Sequence, residues 1–497
     1  MDGLQGPIVI TDPSDPQEKA LQSQYDEEIL IWLQDWYHRS GSSMRTGLDN
    51  VPFIWVGDPD SFLINGKGMY TGCIGVNTTV VTQCDANCTE SNYLAAVNVT
   101  KGKKYLLRII NAAALLAVNF AIANHTMQVV QVEGTFVDPV TVETLDIGIA
   151  ERYSVLLDAN QDSSQSYWMS TGVRFRSSGP TGLAYLQYEG AAEPDLAGYY
   201  PVHPVWNDTT HWSNFTSLLN TTTPSKYATY GALSANPDKN MVVVGNQAIN
   251  NATGALRWVA NNYSATFPAT PIILSAYQAV NSEGALSWPK TQTPGIVNLP
   301  DYPLSPWNYT ETMQDAGAGT NLNIEGNVIV RLVNGSVVEL VLQNARSLNG
   351  AAEYHSWHLH GHTFWLIGQG LGDFNNESDP ANFNLNNPVM RDTVALLPEG
   401  WAAVRFLADN PGAWAFHCAI SPHLVMGMGF TVVTSPDLLP PPPPGVGSCL
   451  LTSLNVSDSQ VCDVLTQQAT SAAMVSHFPG NLLMAAMLSI SFITLVM

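Results

Sequence analysis

The segment His417–Met428 reads HCAISPHLVMGM and combines one cysteine with a second histidine and two methionines. A companion segment, His355–His362, reads HSWHLHGH, and the two segments hold six of the eleven histidines of the chain. A thiolate, two imidazoles and a thioether are the ligand set of a blue-copper site. We therefore predict a copper site with four ligands: His355, Cys418, His423 and Met428.

The remaining histidines of the two segments indicate a second metal centre. His358 and His360 stand two residues apart in an apolar run, so on a β-strand they share one face. His417 and Cys418 are consecutive and would face opposite sides of a strand. We expect Cys418 to hold one copper while His417 faces another metal, with a short covalent path for an electron between them.

Outside these segments, the chain shows short apolar runs separated by Gly, Pro, Asn and Asp, with little helical periodicity. This pattern predicts an all-β protein built from Greek-key β-sandwiches. We place one complete domain at residues 20–195 and a second at 265–435, with residues 196–264 as a polar connection. Of the two, only the second contains the predicted copper ligands.

Composition restricts the partners of the protein. The 497 residues include 19 basic and 41 acidic side chains, a formal charge of -22. Such a charge argues against nucleic acid and anionic membrane surfaces as partners. It also disfavours an anionic substrate, unless the charge of the binding pocket differs locally.

Both histidine segments resemble the C-terminal copper motifs of the multicopper oxidases, and the flanking sequence is closest to that of the plant ascorbate oxidases. The likeness covers most of residues 1 to 435 and includes these stretches: Leu63–Gly68, Asn119–Ile122, Trp357–His362, Ala408–Gly412 and Trp414–Cys418. It implies tandem cupredoxin-like domains. It also implies that His355, Cys418, His423 and Met428 bind a type 1 copper, that His358 binds a type 2 copper, and that His360 and His417 bind type 3 copper.

The same resemblance implies an oxidoreductase that takes electrons from a small reductant, ascorbate or a diphenol, and passes them to O2. His423, Cys418 and His417 would form the electron path. Trp55 and Trp258 would flank the reductant beside His423.

Two departures from the family pattern favour an alternative function. The family has His-Cys-His where this chain has His417-Cys418-Ala419, and the two N-terminal His-x-His motifs are missing. Of eight histidines expected around the three-copper cluster, three remain. The alternative is a catalytically degenerate protein with type 1 copper, serving electron transfer or a cell-surface role.

Residues 1–19 resemble the last strand of a first cupredoxin domain, so we expect a truncated reading frame. The chain begins without a signal peptide yet contains thirteen Asn-x-Ser/Thr sequons, which are used in secreted glycoproteins. Besides Cys418 it contains five cysteines, an odd number. Disulfides Cys73–Cys84 and Cys449–Cys462 would leave Cys88 alone, and the resemblance implies that Cys88 bridges to the first domain.

The C-terminal region differs in composition. Residues 436–480 form a Pro-rich spacer, and residues 481–497 are uncharged and mostly apolar. The apolar tail is shorter than the ~20 residues that span a bilayer, and small residues precede it, as in a glycolipid-anchor signal. We expect a secreted protein held at the cell surface by this anchor; a marginal transmembrane helix or a frayed tail remain alternatives.

Overall fold

The computed structural model describes residue 3 and residues 5–70, 94–194, 199–221, 233, 236–266, 271–276, 296–303 and 324–440. The predictions for Cys73, Cys84, Cys88, Cys449 and Cys462 lie outside these residues. So do most of the Pro-rich spacer and the whole C-terminal tail. Within the described part, no helix is long and apolar enough to cross a membrane.

Residues 27–188 form the first β domain from two sheets. Its six-stranded sheet has the order β2-β1-β4-β9-β6-β7 and its five-stranded sheet the order β3-β11-β10-β5-β8. The strands are β1 (Glu27–Trp36), β2 (Ser61–Ile64), β3 (Ala95–Val99), β4 (Lys104–Asn111), β5 (Ala117–Ile122), β6 (Met127–Val132), β7 (Thr135–Val142), β8 (Thr144–Ile147), β9 (Arg152–Asp158), β10 (Ser166–Arg174) and β11 (Leu183–Tyr188).

The second β domain contains thirteen strands in one continuous sheet path. Its order is β20-β19-β22-β17-β12-β13-β14-β16-β24-β23-β18-β21, with β15 paired to β16. The strands are β12 (Lys239–Ile249), β13 (Leu256–Ala260), β14 (Tyr263–Ala265), β15 (Ile296–Asn298), β16 (Ile324–Leu332), β17 (Ser336–Asn344), β18 (His355–Leu359), β19 (Phe364–Leu371), β20 (Met390–Arg391), β21 (Thr393–Leu396), β22 (Gly400–Ala408), β23 (Gly412–Cys418) and β24 (Gly429–Thr434).

Side-chain patterns account for these sheets. In β3 buried and exposed residues alternate, as expected of a strand with one face in solvent. All six residues of β5 are buried, so this strand has the core on both faces. One continuous cluster of buried side chains extends through both domains, from Ile31 in β1 to Val432 in β24.

Short helices in the described residues include α1 (Pro16–Gln22), α2 (Gly41–Asp49), α3 (Thr209–Leu218) and α4 (Ser421–Val425). The first three begin at side-chain caps, since Asp15, Ser40 and Asp208 each accept a hydrogen bond from a backbone N–H of the first turn. Helix α4 begins with Pro422 in its first turn and carries His423.

One predicted boundary needs correction. Residues 239–264 do not belong to the predicted connection 196–264: β12 pairs with β17 and β13 with β12, inside the second domain. Residues 5–12 form no strand, and Ile8 and Ile10 are 75% and 85% exposed. Without a neighbouring strand inside the described residues, the predicted last strand of a first domain has no ladder to join.

Candidate metal centre

Strands β18 and β23 are neighbours and bring the two histidine segments together. Their antiparallel register pairs Trp357 with Cys418 and His358 with His417. Because paired residues lie on the same face of a sheet, His358 and His417 share one face and Cys418 lies on the other. Burial follows this division, since Cys418 is fully buried while His358 and His417 are partly exposed.

On the buried face, three donor atoms converge. The Nδ1 atoms of His355 and His423 are 3.1 Å apart, and the Sγ atom of Cys418 lies 3.7 Å and 3.8 Å from them. Ligand atoms that each lie about 2 Å from a shared ion are separated by about 3 to 4 Å. In the described part of the chain, this is the one group of three or more His, Cys, Asp or Glu ligand atoms that lie within 4.8 Å of one another.

The loop after β23 brings the last ligand back to the site. Cys418 N–H donates to Met428 O and Met428 N–H donates to His423 O, each at 3.0 Å, so the loop closes on itself. Met428 is completely buried. A Cβ atom at Gly245 of β12 would lie 2.4 Å from Met428 Cε, so a side chain there would displace the end of this thioether.

Burial sets the protonation of these groups. It lowers the pKa of His355 to about 3 and that of His423 well below its ordinary value. Both imidazoles are therefore neutral near pH 7, the form that binds metals. Burial also raises the pKa of the Cys418 thiol to about 12, so a bound cation must displace its proton.

On the opposite face, three imidazoles lie close to one another. His360 Nε2 is 3.1 Å from His417 Nε2, and the ring of His358 is 4.8 Å and 5.8 Å from those of His360 and His417. Burial lowers the pKa of His360 to about 4 and that of His417 to about 3, so both rings are neutral. These rings could share one metal ion.

Ala419 follows Cys418 on this second face. Its N–H donates to Ser356 O at 2.6 Å, which continues the pairing of the two strands past His358 and His417. Ala419 therefore lies on the same face as these two histidines, and its methyl group offers no donor atom. His362, the last histidine of its segment, packs against Phe406 and Trp414 rather than joining either group.

A cavity of about 300 Å³ lies against His423 and is open to solvent. Arg174, Arg176, Glu353 and Trp206 contribute to its lining. Glu353 Oε2 lies 3.6 Å from His423 Nε2.

The two tryptophans predicted to flank a reductant lie in different surroundings. The Trp55 ring is partly exposed, 6.0 Å from the His423 ring, with the Arg176 guanidinium over its face at 6.0 Å. Trp258 is completely buried, and its ring lies 4.4 Å from that of His423 and 4.8 Å from that of His355. Trp55 can therefore touch a molecule beside His423, whereas Trp258 packs behind the ligands.

Sequence reasoning missed two charged residues of the cavity, Arg176 and Glu353. Glu353 stands two residues before His355, a position that could have attracted attention. Arg176 comes from the other domain, and nothing local in the sequence links it to the histidine segments.

Comparisons with known proteins identify the fold and the family. Two family profiles, each described as multicopper oxidase, match residues 27–191 and 298–438. An L-ascorbate oxidase of Cucumis sativus is 35% identical over 460 residues, which cover 91% of this chain and 73% of the relative. The chain belongs to the multicopper oxidase family.

Other family members agree with this result. Laccase-13 of Oryza sativa subsp. japonica is 36% identical over 454 residues, 85% of this chain and 72% of the relative. Among solved structures, the multicopper oxidase Fet3p has a TM-score of 0.61 at 22% identity, covering 92% of this chain and 73% of its own. The Botrytis aclada laccase has a TM-score of 0.55 at 22% identity, covering 92% and 70%. The two structures support the all-β cupredoxin-like fold.

Family membership implies copper, and the donor atoms on the buried face fit it. One sulfur and two neutral nitrogens converge there, and a buried thioether lies in the same loop, which is the donor set of a blue-copper site. The opposite face fits less well. Within the described residues it offers three imidazoles, enough for one ion and too few for three.

Proposed function

We propose that this copper-dependent oxidoreductase of the multicopper oxidase family uses ascorbate as its reductant and O2 as its electron acceptor. The observation that carries this proposal is the Arg176 guanidinium in the wall of the cavity beside His423, in a chain with a formal charge of -22. Arg174 also lines the cavity, but it is buried and paired with Asp146. Several relatives that carry the name L-ascorbate oxidase are similar to this chain.

Two side chains of the cavity, Arg176 and Glu353, and the neighbouring Trp55 would orient a small planar anion. The Arg176 guanidinium lies over one face of the Trp55 ring, which leaves the rest of the indole to contact the reductant. Arg176 also pairs with Asp58 at 3.0 Å, which fixes the guanidinium at the cavity wall. Glu353, close to His423, would accept a hydrogen bond from a hydroxyl group of the reductant.

Copper held by His355, Cys418, His423 and Met428 supplies one-electron redox chemistry. The protein positions the reductant near the edge of His423. The main chain also provides a short covalent path between the two faces of β23, because His417 and Cys418 are consecutive.

Steady-state kinetics of an Arg176→Gln variant test the proposed substrate. Hydrogen bonds to a charged group contribute about 1.5 to 3 kcal/mol, so we expect the KM for ascorbate to rise about 10- to 100-fold. The KM for hydroquinone, a neutral diphenol, should change less than threefold. Arg108→Gln serves as the matched control, because Arg108 pairs with Glu28 on the same domain away from the cavity.

Equal changes for both reductants would show that Arg176 does not select an anion. If the wild-type protein oxidises hydroquinone faster than ascorbate, the ascorbate proposal is wrong and the protein is a diphenol oxidase.

We further propose that the protein is a secreted glycoprotein. Nine of its thirteen sequons lie in described residues and none of these nine asparagines is buried. Seven are exposed: Asn98, Asn124, Asn207, Asn214, Asn251, Asn334 and Asn376. Treatment of the isolated protein with an N-glycosidase should lower its mass, whereas an unchanged mass would exclude N-glycans.

The tail at residues 481–497 supports a further proposal, attachment to the cell surface through a glycolipid. A phospholipase that cleaves phosphatidylinositol anchors should then release the protein from intact cells. Retention after this treatment, with release by detergent, would favour a membrane-spanning tail.

A further inference from the structure

The first β domain, which contains no predicted copper ligands, contacts the second β domain beside His358. The second β domain holds all the predicted ligands and is called the copper domain below. Arg152 at the start of β9 and Glu133 in the turn between β6 and β7 both reach the segment that joins β20 to β21. Asp392 is this segment and Thr393 is the first residue of β21, a strand that pairs directly with β18, where Thr393 lies opposite His358.

On the His358 side, the hydrogen bonds determine which ring nitrogen carries the proton. His358 Nδ1 lies 3.0 Å from Asp392 O and 2.9 Å from Thr393 Oγ1. A backbone carbonyl can only accept, so Nδ1 must be the protonated nitrogen. Thr393 Oγ1 donates its own proton to Asp392 Oδ1 at 2.7 Å and can accept from Nδ1. In the neutral ring, Nε2 is therefore the nitrogen left free to bind a metal.

On the other side, two side chains of the first domain hold the acceptors in place. Arg152 Nη1 donates to Asp392 Oδ1 at 2.6 Å and Nη2 donates to Asp392 Oδ2, which forms a bidentate pair. Glu133 Oε2 accepts from the backbone N–H groups of Asp392 and Thr393 at 2.7 Å and 2.9 Å. The oxygens around His358 Nδ1 thus depend on two side chains of the other domain.

We propose that Arg152 and Glu133 are positioning residues for the metal site on the second face. Through Asp392 and Thr393, they keep His358 in the Nδ1–H tautomer and hold its Nε2 available for a metal. This role gives the domain without copper ligands a direct influence on a ligand of its neighbour. It does not depend on which reductant the enzyme uses.

The decisive experiment measures copper binding in an Arg152→Gln variant of the full chain. Partners that orient a ligating histidine typically contribute 10- to 100-fold to metal affinity. We expect Cu(II) competition with a chelator to show a loss of this size at the non-blue copper. The hyperfine splitting of that copper in the electron paramagnetic resonance spectrum should change, and the blue absorption that depends on Cys418 should not.

Two further variants distinguish a positioning role of Arg152 from a role that only stabilises the contact between the domains. Arg405→Gln removes a comparable arginine–carboxylate pair, with Glu339, inside the copper domain and away from His358. It should leave the non-blue spectrum unchanged. Thr393→Val keeps the shape of the side chain and removes only the hydroxyl, so it should alter the same spectrum as Arg152→Gln does, to a smaller degree.

Unchanged affinity and spectrum in both Arg152→Gln and Thr393→Val would overturn the proposal, even if Arg152→Gln lowered the melting temperature. Equal losses of blue and non-blue copper in Arg152→Gln and Arg405→Gln would also overturn it, because they would indicate general destabilisation. If Arg152→Gln does not fold, Thr393→Val alone decides through the same spectrum.

Discussion

The two β domains bury histidines in opposite ways. The half-buried His203 follows the first domain and packs against it; its Nδ1 donates to Asn119 Oδ1 and Ser170 Oγ donates to its Nε2, both at 2.8 Å. His125 likewise has both ring nitrogens bonded, to Ala123 O and Tyr188 Oη. In the copper domain, the Nδ1 atoms of His355 and His423 have only each other and a thiol as neighbours.

This difference separates structural histidines from ligands. A buried polar atom without a partner destabilises the fold by about 1 to 3 kcal/mol, so a completed hydrogen-bond network is the ordinary state of a buried histidine. The facing nitrogens and thiol of the copper domain lack such a network. A metal ion would satisfy all three donor atoms at once.

Replacing Cys418 by serine should produce the largest effect. The change removes the thiolate, and we expect complete loss of the blue absorption and of one copper per chain. Visible absorption and metal analysis measure both. Ile420→Val is the control, since it shortens a buried neighbour in the same loop and keeps every donor. A blue serine variant would contradict the assignment of Cys418.

Ala419→His would add a fourth imidazole to the face of β23 that carries His417. The new imidazole would lie on the face of His358 and His417, so we expect copper affinity there to rise at least about tenfold. Chelator competition measures this affinity, and Ala419→Leu supplies a side chain of similar size without a donor atom. Equal affinities for the histidine and leucine variants would mean that residue 419 does not face the metal.

Met428→Leu tests the weakest of the four proposed ligands. Loss of a thioether donor destabilises Cu(II) more than Cu(I), so the reduction potential should rise while the blue colour persists. Redox titration at the blue band measures the potential. Met426→Leu changes a buried methionine of the same loop and should leave the potential where it was. The axial assignment fails if both variants behave alike.

The copper ligands stay a prediction, and the sequence could propose them because they are local. Cys418, His423 and Met428 belong to one loop, and His355 lies on a strand whose pattern is easily read. The family followed from the same motifs, and the all-β fold followed from the short apolar runs outside them. Contacts between distant segments could not be read in this way.

Three examples show which contacts between distant segments the sequence could not predict. Strand β12 was assigned to a connection because its surroundings are rich in sequons, but it pairs in parallel with β17, far along the chain. Arg176 and Arg152 belong to the first domain, so neither histidine segment predicts that they lie near the site. Trp258 was predicted beside the reductant, and only packing places it behind the ligands.

The smallest expected effect is the pH dependence of stability that comes from His203, whose two ring nitrogens are both hydrogen-bonded. Burial lowers the pKa of His203 to about 4 from 6.5, so between these values the unfolded chain binds a proton that the folded protein does not. Stability is therefore complete above pH 6.5 and decreases as the pH falls toward 4, by at most about 3 kcal/mol from this residue. His211 acts in the opposite direction, because its hydrogen bond to Asp146 raises its pKa.

Thermal unfolding of wild type and a His203→Gln variant at pH 7 and pH 5 isolates the contribution of His203. The variant should be less stable at pH 7, because it loses the bonds to Asn119 and Ser170. It should also lose less stability between the two pH values than wild type does. His38→Gln, at an exposed position of the same domain, should keep the wild-type difference. If His203→Gln keeps it too, the acid sensitivity belongs to other imidazoles whose pKa is lowered by burial, among them His125, His355, His360, His417 and His423.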